Sequence, residues 1–136
     1  MKRLTPNMAV KDVAQTVKYY VENFGFTLAM AVSEDKSSIG QVLDETKQYI
    51  WANVMHGEIG LMFQTQQSIQ EDVGSFFSTI GSSQTLYIEV EDASALFETV
   101  KDSVEIYKPL SDTWYGAKEF YIRDLNGYIL AFSSRI

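Results

Sequence analysis

The chain has no cysteine and only one histidine, His56, among its 136 residues. The absence of cysteine excludes disulfides, thiol nucleophiles, zinc knuckles and iron–sulfur clusters. A single histidine excludes a histidine-rich metal site within one chain. It also makes any Ser-His-Asp triad depend on His56 alone.

Basic residues are also scarce, with 11 Lys and Arg against 18 Asp and Glu and a formal net charge of −7. Nucleic-acid binding needs a basic patch, and an acidic protein is repelled by anionic membranes, so we expect neither partner. No apolar run approaches the roughly 18 residues that cross a bilayer. The segment Met1–Asn7 lacks the apolar core of a signal peptide, and a cytoplasmic location is therefore expected.

The remaining composition is that of a globular protein. Hydrophobic residues make up 46% of the chain and charged residues 21%, which argues against long disordered segments. A chain of this length can bury a core without disulfides or metals. We therefore expect a single domain over residues 1–136.

A short pattern occurs twice, 80 residues apart. Met8–Ala14 and Ile88–Ser94 each read as a strand that ends at an aspartate, Asp12 or Asp92, followed by an apolar helical stripe. Aspartate is a favoured N-cap because its carboxylate accepts the free N–H groups of the first turn. Gly25 then supplies the left-handed stop of the first helix.

Each predicted helix is followed by three β-type runs, so that each half reads β-α-β-β-β. Module 1 covers about residues 1–66 and module 2 about residues 83–136. The predicted runs after the helices are Thr27–Val32, Gln48–Met55, Glu58–Thr65, Val104–Lys108, Ala117–Arg123 and Tyr128–Ser134. In the turn Asp124–Gly127, Asn126-Gly127 is expected to supply the positive φ angles of a hairpin.

Two further segments are predicted from spacing and polarity. A connecting helix over about 67–82 rests on the helical spacing of Ile69, Val73, Phe76, Phe77 and Ile80, with Gly81-Ser82-Ser83 ending it. The polar segment Ser33–Gly40 is expected to be a mobile loop.

Strand alternation divides the side chains of each sheet into two sets. One set is aliphatic or Phe and should pack under the helices. The other mixes amides, hydroxyls and an acid with rings, whereas a solvent face would be richer in Lys and Glu. Its rings are those of Tyr49, Trp51, Tyr87 and Tyr121. We interpret this set as the lining of a ligand cleft; a subunit interface or a second core layer is the alternative.

The order of these features resembles the vicinal oxygen chelate superfamily, which includes glyoxalases, bleomycin resistance proteins and dioxygenases. The resemblance rests on the Val-x-Asp steps at Val10–Asp12 and Val90–Asp92 and on Phe120–Phe132, with its Arg-Asp-x-Asn-Gly sequence. It implies an α+β fold in which two tandem β-α-β-β-β modules form a curved eight-stranded mixed sheet, shaped as a cup. It also implies a homodimer.

Metal-dependent relatives place His, Gln or Glu ligands at four inward strand positions. Carried over by strand register, these positions are Thr5, Met62, Thr85 and Ala131. Two hydroxyls, a thioether and a methyl group do not form a divalent-metal site. The resemblance therefore points to the metal-free, bleomycin-resistance-like branch, and no cofactor is expected.

Glu119 is the acid of greatest interest, because alternation turns it toward the cleft near Tyr121. It can pair with a cationic ligand, or act as a general base if burial raises its pKa. The alternative is an ion pair with Arg123 or Lys118.

Two other positions also have both a functional and a structural interpretation. Trp114, in the loop Trp114–Gly116, can stack on a planar or cationic group, or can instead fasten the loop to its own domain. His56 with Glu58 can form a weak surface metal contact, or can be a solvated turn histidine.

We hypothesise a metal-independent small-molecule-binding protein that sequesters a planar or cationic ligand. The expected ligand-binding residues are Asn7, Trp51, Met62, Tyr87, Trp114, Glu119 and Tyr121. No catalytic residue is expected beyond Glu119 as a weak candidate base, with Tyr121 as its acid. The alternatives are a divalent-metal-dependent glyoxalase- or dioxygenase-type lyase, isomerase or oxidoreductase, and a non-catalytic interaction domain.

Overall fold

The computed structural model describes residues 2–74, 80–81 and 84–136. The chain divides into unit 1, Met1–Ile80, and unit 2, Gly81–Ile136. The elements of unit 1 are β1 Asn7–Val10, α1 Val13–Phe24, β2 Thr27–Ser33, β3 Ile39–Gly40, β4 Tyr49–His56, β5 Ile59–Thr65 and α2 Gln66–Val73. Those of unit 2 are β6 Thr85–Glu89, α3 Ala93–Val100, β7 Glu105–Asp112, β8 Ala117–Arg123 and β9 Ile129–Arg135. Within these residues no helix is long and apolar enough to span a membrane.

The two units repeat one sheet topology, and the predicted α+β class is confirmed. Unit 1 has a five-stranded sheet in the order β1-β5-β4-β2-β3, and unit 2 has a four-stranded sheet in the order β6-β9-β8-β7. In each sheet the first strand pairs in parallel with the last long strand, and the other pairs are antiparallel. The hydrogen-bonded strands thus form two sheets, and β3 is a strand that the sequence did not predict.

Both predicted aspartate caps are present. Asp12 accepts a hydrogen bond from the Gln15 backbone N–H at 2.9 Å, and Asp92 accepts one from the Ala95 N–H at 3.0 Å. Helix α1 ends at Gly25, whose φ of 70° lies in the left-handed region. Local sequence therefore determines where these two helices begin.

The apolar set of each sheet forms the core of its unit. In unit 1 the ring of Tyr20 on α1 packs 5.0 Å from that of Phe63 on β5, and both residues are fully buried. In unit 2 Phe97 on α3 contacts Phe120 on β8, with ring centroids 5.3 Å apart. The helices cover the apolar faces, which leaves the mixed aromatic and polar set on the other face.

The connecting helix is shorter than predicted. Helix α2 begins at Gln66, where Thr65 accepts a hydrogen bond from the Ser68 N–H at 3.3 Å, and ends before Gly74, whose φ is 93°. Helical residues have a negative φ, so the positive φ of Gly74 ends the helix. Glycine adopts this conformation without the steric clash that a side chain would cause. Ile80 and Gly81 lie outside any helix. The predicted helix residues Phe76 and Phe77 and the breakers Ser82 and Ser83 lie outside the described residues.

The segment expected to be a mobile loop is organised around Asp35. Its carboxylate accepts hydrogen bonds from the hydroxyls of Ser33 and Ser37, both at 2.7 Å, and from Lys47 at 3.0 Å. These donors, Ser33 first, hold the pKa of Asp35 well below its usual range. The turn brings Ile39 back to pair with Val32, which creates β3.

The hairpin between β8 and β9 forms at the predicted turn but with different backbone angles. Gly127 has a φ of 88°, whereas Asn126 does not adopt a positive φ. Instead, the carboxylate of Asp124 accepts the backbone N–H groups of Asn126 and Tyr128, each at 2.9 Å. This bonding pattern fixes the turn without a left-handed asparagine.

Candidate functional site

Each unit has a cavity that includes the mixed face of its sheet. The cavity of unit 1 measures about 830 Å³ and that of unit 2 about 580 Å³. Asn7 and Trp51 line the first, and Tyr87, Tyr115 and Ser133 are among the residues that line the second. Of the predicted ligand-binding residues, Asn7 and Trp51 thus line one cavity and Tyr87 the other. Met62, Trp114, Glu119 and Tyr121 line neither of these two cavities.

Glu119 is the chemical centre of unit 2. It lies in the middle of β8, and its side chain is 4% exposed. Its Oε1 accepts hydrogen bonds from Tyr115 at 2.7 Å, from Ser133 at 3.2 Å and from Tyr87. Its Oε2 accepts the longest one, from Tyr121 at 3.5 Å. A nearly buried carboxylate is thus surrounded by four hydroxyl groups.

Strand register explains how this group forms. Glu119 pairs with Ser133 across β8 and β9, and Tyr121 pairs with Ala131 two residues further along. Tyr87 on β6 also pairs with Ala131, so its ring falls on the same face. Because alternate residues share a face, the sheet alone assembles three of the four donors.

The hydroxyl donors control the protonation of Glu119. Burial raises the pKa of Glu119, but the hydrogen bonds from Tyr87, Tyr115, Ser133 and Tyr121 together outweigh burial and hold it below its ordinary value. The hydrogen bond to Glu119 raises the pKa of Tyr115 to about 12. Burial, and then the charge of Glu119, raise the pKa of Tyr121. At neutral pH Glu119 is therefore a carboxylate anion beside the neutral phenols of Tyr115 and Tyr121.

These protonation states do not favour an acid–base pair. A general base needs a pKa raised toward the working pH, and the pKa of Glu119 is lowered instead. A general acid needs an accessible proton, and the pKa of Tyr121 is raised. The condition attached to Glu119 as a base, a pKa raised by burial, is not met.

The cations expected as alternative partners of Glu119 pair elsewhere. Lys118 contacts Asp112 at 2.6 Å, and Arg123 lies 3.9 Å from Glu105. The polar contacts of Glu119 within the described part of the chain come from hydroxyl groups. Its negative charge is therefore stabilised by dipoles and not by a neighbouring cation.

In the loop before β8, Tyr115 and not Trp114 reaches Glu119. Trp114 is 95% exposed and packs edge-on against the Tyr115 ring, with centroids 5.2 Å apart. The loop is closed by a 2.9 Å hydrogen bond from the Ala117 N–H to the Thr113 hydroxyl. A ring this exposed does not fasten the loop to the domain.

The cavity of unit 1 is organised around an amide. Gln64 on β5 is 6% exposed, and its Oε1 accepts a hydrogen bond from Asn7 Nδ2 at 2.7 Å. Its Nε2 donates to Ser68 Oγ and to Asp72 Oδ2 on α2, both at 2.8 Å. Trp51 is the register partner of Gln64 on β4. Strand pairing thus places an indole beside a fixed network of polar groups.

Met62 is the third predicted residue in unit 1. It pairs in register with Asn7 on one side and with Asn53 on the other. Its side chain is half-buried, and it is not among the residues that line the cavity. The structure therefore places Asn7 and Trp51, but not Met62, at the cavity wall.

Comparison with known proteins decides the family. A model of the Glyoxalase/Bleomycin resistance protein/Dioxygenase superfamily matches residues 3–132. The chain belongs to this superfamily. The comparison with curated proteins gave no match.

Solved structures show the same fold. TioX from Micromonospora sp. ML1 is 18% identical, with 100% of both chains covered and a TM-score of 0.69. A glyoxalase-related enzyme from Fulvimarina pelagi is 17% identical over 99% of this chain and 89% of its own, with a TM-score of 0.75. A glyoxalase/bleomycin resistance protein/dioxygenase family enzyme from Burkholderia phytofirmans PsJN is 14% identical over 97% of each chain, with a TM-score of 0.73. At these identities the likeness establishes the fold alone.

The metal site of the metal-dependent superfamily members does not fit the residues present here. Thr85 is exposed, and Ala131 presents a fully buried methyl group between Tyr87 and Tyr121 in register. In unit 1, Thr5 directs its Cγ2 methyl group toward Gly60. These groups, with the thioether of Met62, lack the charge and basicity that a divalent cation requires.

The described part of the chain offers no cluster of acidic or histidine side chains in place of that set. Within the described residues, no group of three or more His, Cys, Asp or Glu side chains is placed to hold a metal ion. His56 ends β4, and its ring lies edge-on against Phe26 with centroids 5.7 Å apart. His56 is therefore an exposed residue that packs on a neighbouring ring.

Five site residues in this superfamily member were not among the predicted ligand-binding residues: Gln64, Ser68, Asp72, Tyr115 and Ser133. Ser133 could have been found, because counting outward from the Asp124–Gly127 turn pairs it with Glu119. Asp72 follows Ser68 by one helical turn, but only the helix position shows that both face Gln64. No local sequence feature indicated that Tyr115, and not Trp114, would contact Glu119.

Proposed function

We propose that this superfamily member is a metal-independent binding protein that sequesters a small planar cation in the cavity of unit 2. The observation that carries the proposal is the charge state of Glu119. It is a nearly buried carboxylate whose pKa is lowered and whose partners are hydroxyls. Glu119 lies behind the cavity wall, and three of its hydroxyl partners, Tyr87, Tyr115 and Ser133, line that wall. A cation in the cavity would be attracted by this charge through the wall.

Electrostatics favour a positively charged ligand here. The attraction between opposite charges is several times stronger at a partly buried site than in water. Glu89 lines the cavity and adds negative charge, while Arg135 on the same lining opposes it. The net charge of −7 further favours the approach of a cation.

Aromatic rings favour a planar ligand. Tyr87 is 57% exposed and Tyr115 is 52% exposed, although the hydroxyl of each reaches Glu119. Their rings therefore form part of the cavity wall while their polar ends are occupied. Rings of this kind attract cations and stack with flat groups.

The test compares two ligands of nearly the same shape. N-methylacridinium carries a permanent positive charge, and acridine at mildly alkaline pH is neutral. We expect calorimetry to show that the cation binds at least about tenfold more tightly, as a charge-assisted contact provides. Equal affinity for the two ligands would remove the basis of the proposal.

A matched pair of variants locates the site. Glu119→Gln keeps the size of the side chain and removes its charge, so the affinity for N-methylacridinium should fall about tenfold while acridine is unaffected. Glu91→Gln removes a charge from an exposed position in the same unit and should leave both affinities unchanged.

The metal-independent part of the proposal is tested by native mass spectrometry of protein purified without chelators. We expect no stoichiometric metal, and binding of N-methylacridinium that does not change on adding EDTA. One tightly held divalent ion per chain would instead favour a metal-dependent lyase, isomerase or dioxygenase of the same superfamily.

A further inference from the structure

We propose that the cavity of unit 1 is a second binding site, for a planar nitrogen heterocycle that carries an exocyclic amino group. The cavity measures about 830 Å³ and is lined by residues of unit 1 alone. It takes no part in the function proposed above. Its wall combines hydrogen-bond acceptors with a flat ring, and the acceptors derive from the network around Gln64.

The orientation of the Gln64 amide is fixed by its partners. Its Nε2 donates to Asp72, and its Oε1 accepts from Asn7. In the flipped orientation the amide oxygen would face the Asp72 carboxylate, which can only accept when ionised. At 6% exposure the amide cannot exchange these partners for water. Both of its N–H groups are therefore used, and it offers no donor to the cavity.

The network around Gln64 leaves two oxygen acceptors for a ligand. Asn7 uses one N–H of Nδ2 in its bond to Gln64, and Asp72 uses Oδ2. Within the described part of the chain this leaves Asn7 Oδ1 and Asp72 Oδ1 as acceptors, beside the second N–H of Asn7 Nδ2. Both residues line the cavity, so a ligand that offers N–H groups along one edge can bond to them.

Trp51 provides the flat surface beside these acceptors. It pairs with Gln64 across β4 and β5, which places both side chains on one face of the sheet about 5 Å apart at Cβ. The indole is half-buried and lines the cavity. A ring stacked on Trp51 would have its edge next to the network around Gln64. Stacking combined with edge hydrogen bonding selects planar heterocycles.

The charges of this cavity are of both signs. Lys11 and Lys36 share the lining with Asp12, Glu34, Glu71 and Asp72. A wall with both signs gives a weaker preference for a charged ligand than a wall of one sign. The selective feature is therefore the amino group, which a donor-poor heterocycle lacks.

The test uses two pairs of ligands that differ in one group. In a Trp114→Phe background, Trp51 is the remaining tryptophan, so its fluorescence reports on this cavity. Adenine and cytosine carry the amino group, which purine lacks and which uracil replaces with a carbonyl. We expect saturable quenching by adenine and cytosine, with purine and uracil about tenfold weaker or more.

Variants assign the contact to Asp72. Asp72→Asn can still accept from Gln64 but presents an amide in place of the carboxylate, so adenine affinity should fall about tenfold while purine affinity is unchanged. Glu22→Gln changes an exposed acid on α1 and serves as the control. Equal affinity for adenine and purine, no saturable quenching, or an unchanged adenine affinity in Asp72→Asn would each overturn the proposal. The acridinium titration depends on unit 2, so the two proposals fail separately.

Discussion

Glu119 shows how a carboxylate remains ionised where it is almost inaccessible to solvent. A carboxylate at 4% exposure loses most of its hydration, which raises its pKa, and four hydroxyl groups compensate for that loss. Hydrogen bonds to a charged group are stronger than those between neutral groups. The balance favours the ionised form of Glu119.

We expect the site to lose stability in acid. The folded pKa of Glu119 lies below its unfolded value of about 4.5, so its contribution is present above that pH and is lost as the pH falls through the folded value. Urea unfolding measured from neutral pH down to about pH 3 should show a steeper loss for the native chain than for Glu119→Gln. Parallel pH profiles for the two proteins would contradict the assigned pKa shift.

Tyr115 is expected to stabilise the fold through its hydroxyl. Tyr115→Phe removes one donor to Glu119 and should lower the free energy of unfolding, by an amount that the exposure of the ring keeps small. The Glu119 pKa should rise toward its ordinary value in the same variant, which NMR titration can measure. Tyr107→Phe removes a hydroxyl from a similarly exposed ring on β7 and should change neither quantity.

At the scale of secondary structure, the helix starts were predictable because their causes are local. An aspartate followed by an apolar stripe specified the first residues of α1 and α3. The end of α2 was not predicted, because the apolar spacing continued past Gly74. The turn around Asp35 was missed as well, since polar composition alone does not show which side chain will collect the donors.

The cap of α3 provides a test at this scale. Asp92→Ala should lower the free energy of unfolding by about 1 kcal/mol, because the Ala95 N–H loses its acceptor. Asp92→Asn retains an acceptor oxygen and should lose much less. Thermal unfolding followed by circular dichroism measures both variants, and an equal loss in the two would show that charge, not capping, is what Asp92 contributes.

For the whole molecule, exposed apolar side chains lead us to expect a homodimer. Met30 is 44% exposed, Ile39 63% and Val42 79%, and β3 is an edge strand of its sheet. Exposed apolar groups beside an open strand edge favour association. Native mass spectrometry should therefore show twice the 15.4 kDa chain mass at micromolar concentration, and a monomer over the whole concentration range would contradict this.

The sequence by itself determined the α+β class, the repeated β-α-β-β-β module and the face on which Glu119 lies, because helical period, strand alternation and capping act over a few residues. Only the tertiary structure decided that Tyr115 reaches Glu119, that Asp72 holds Gln64 and that Trp114 points into solvent. These outcomes depend on loop paths and on pairings between distant residues, such as Tyr87 with Glu119. No local sequence pattern specifies which of several chemically suitable side chains will occupy such a position in the fold.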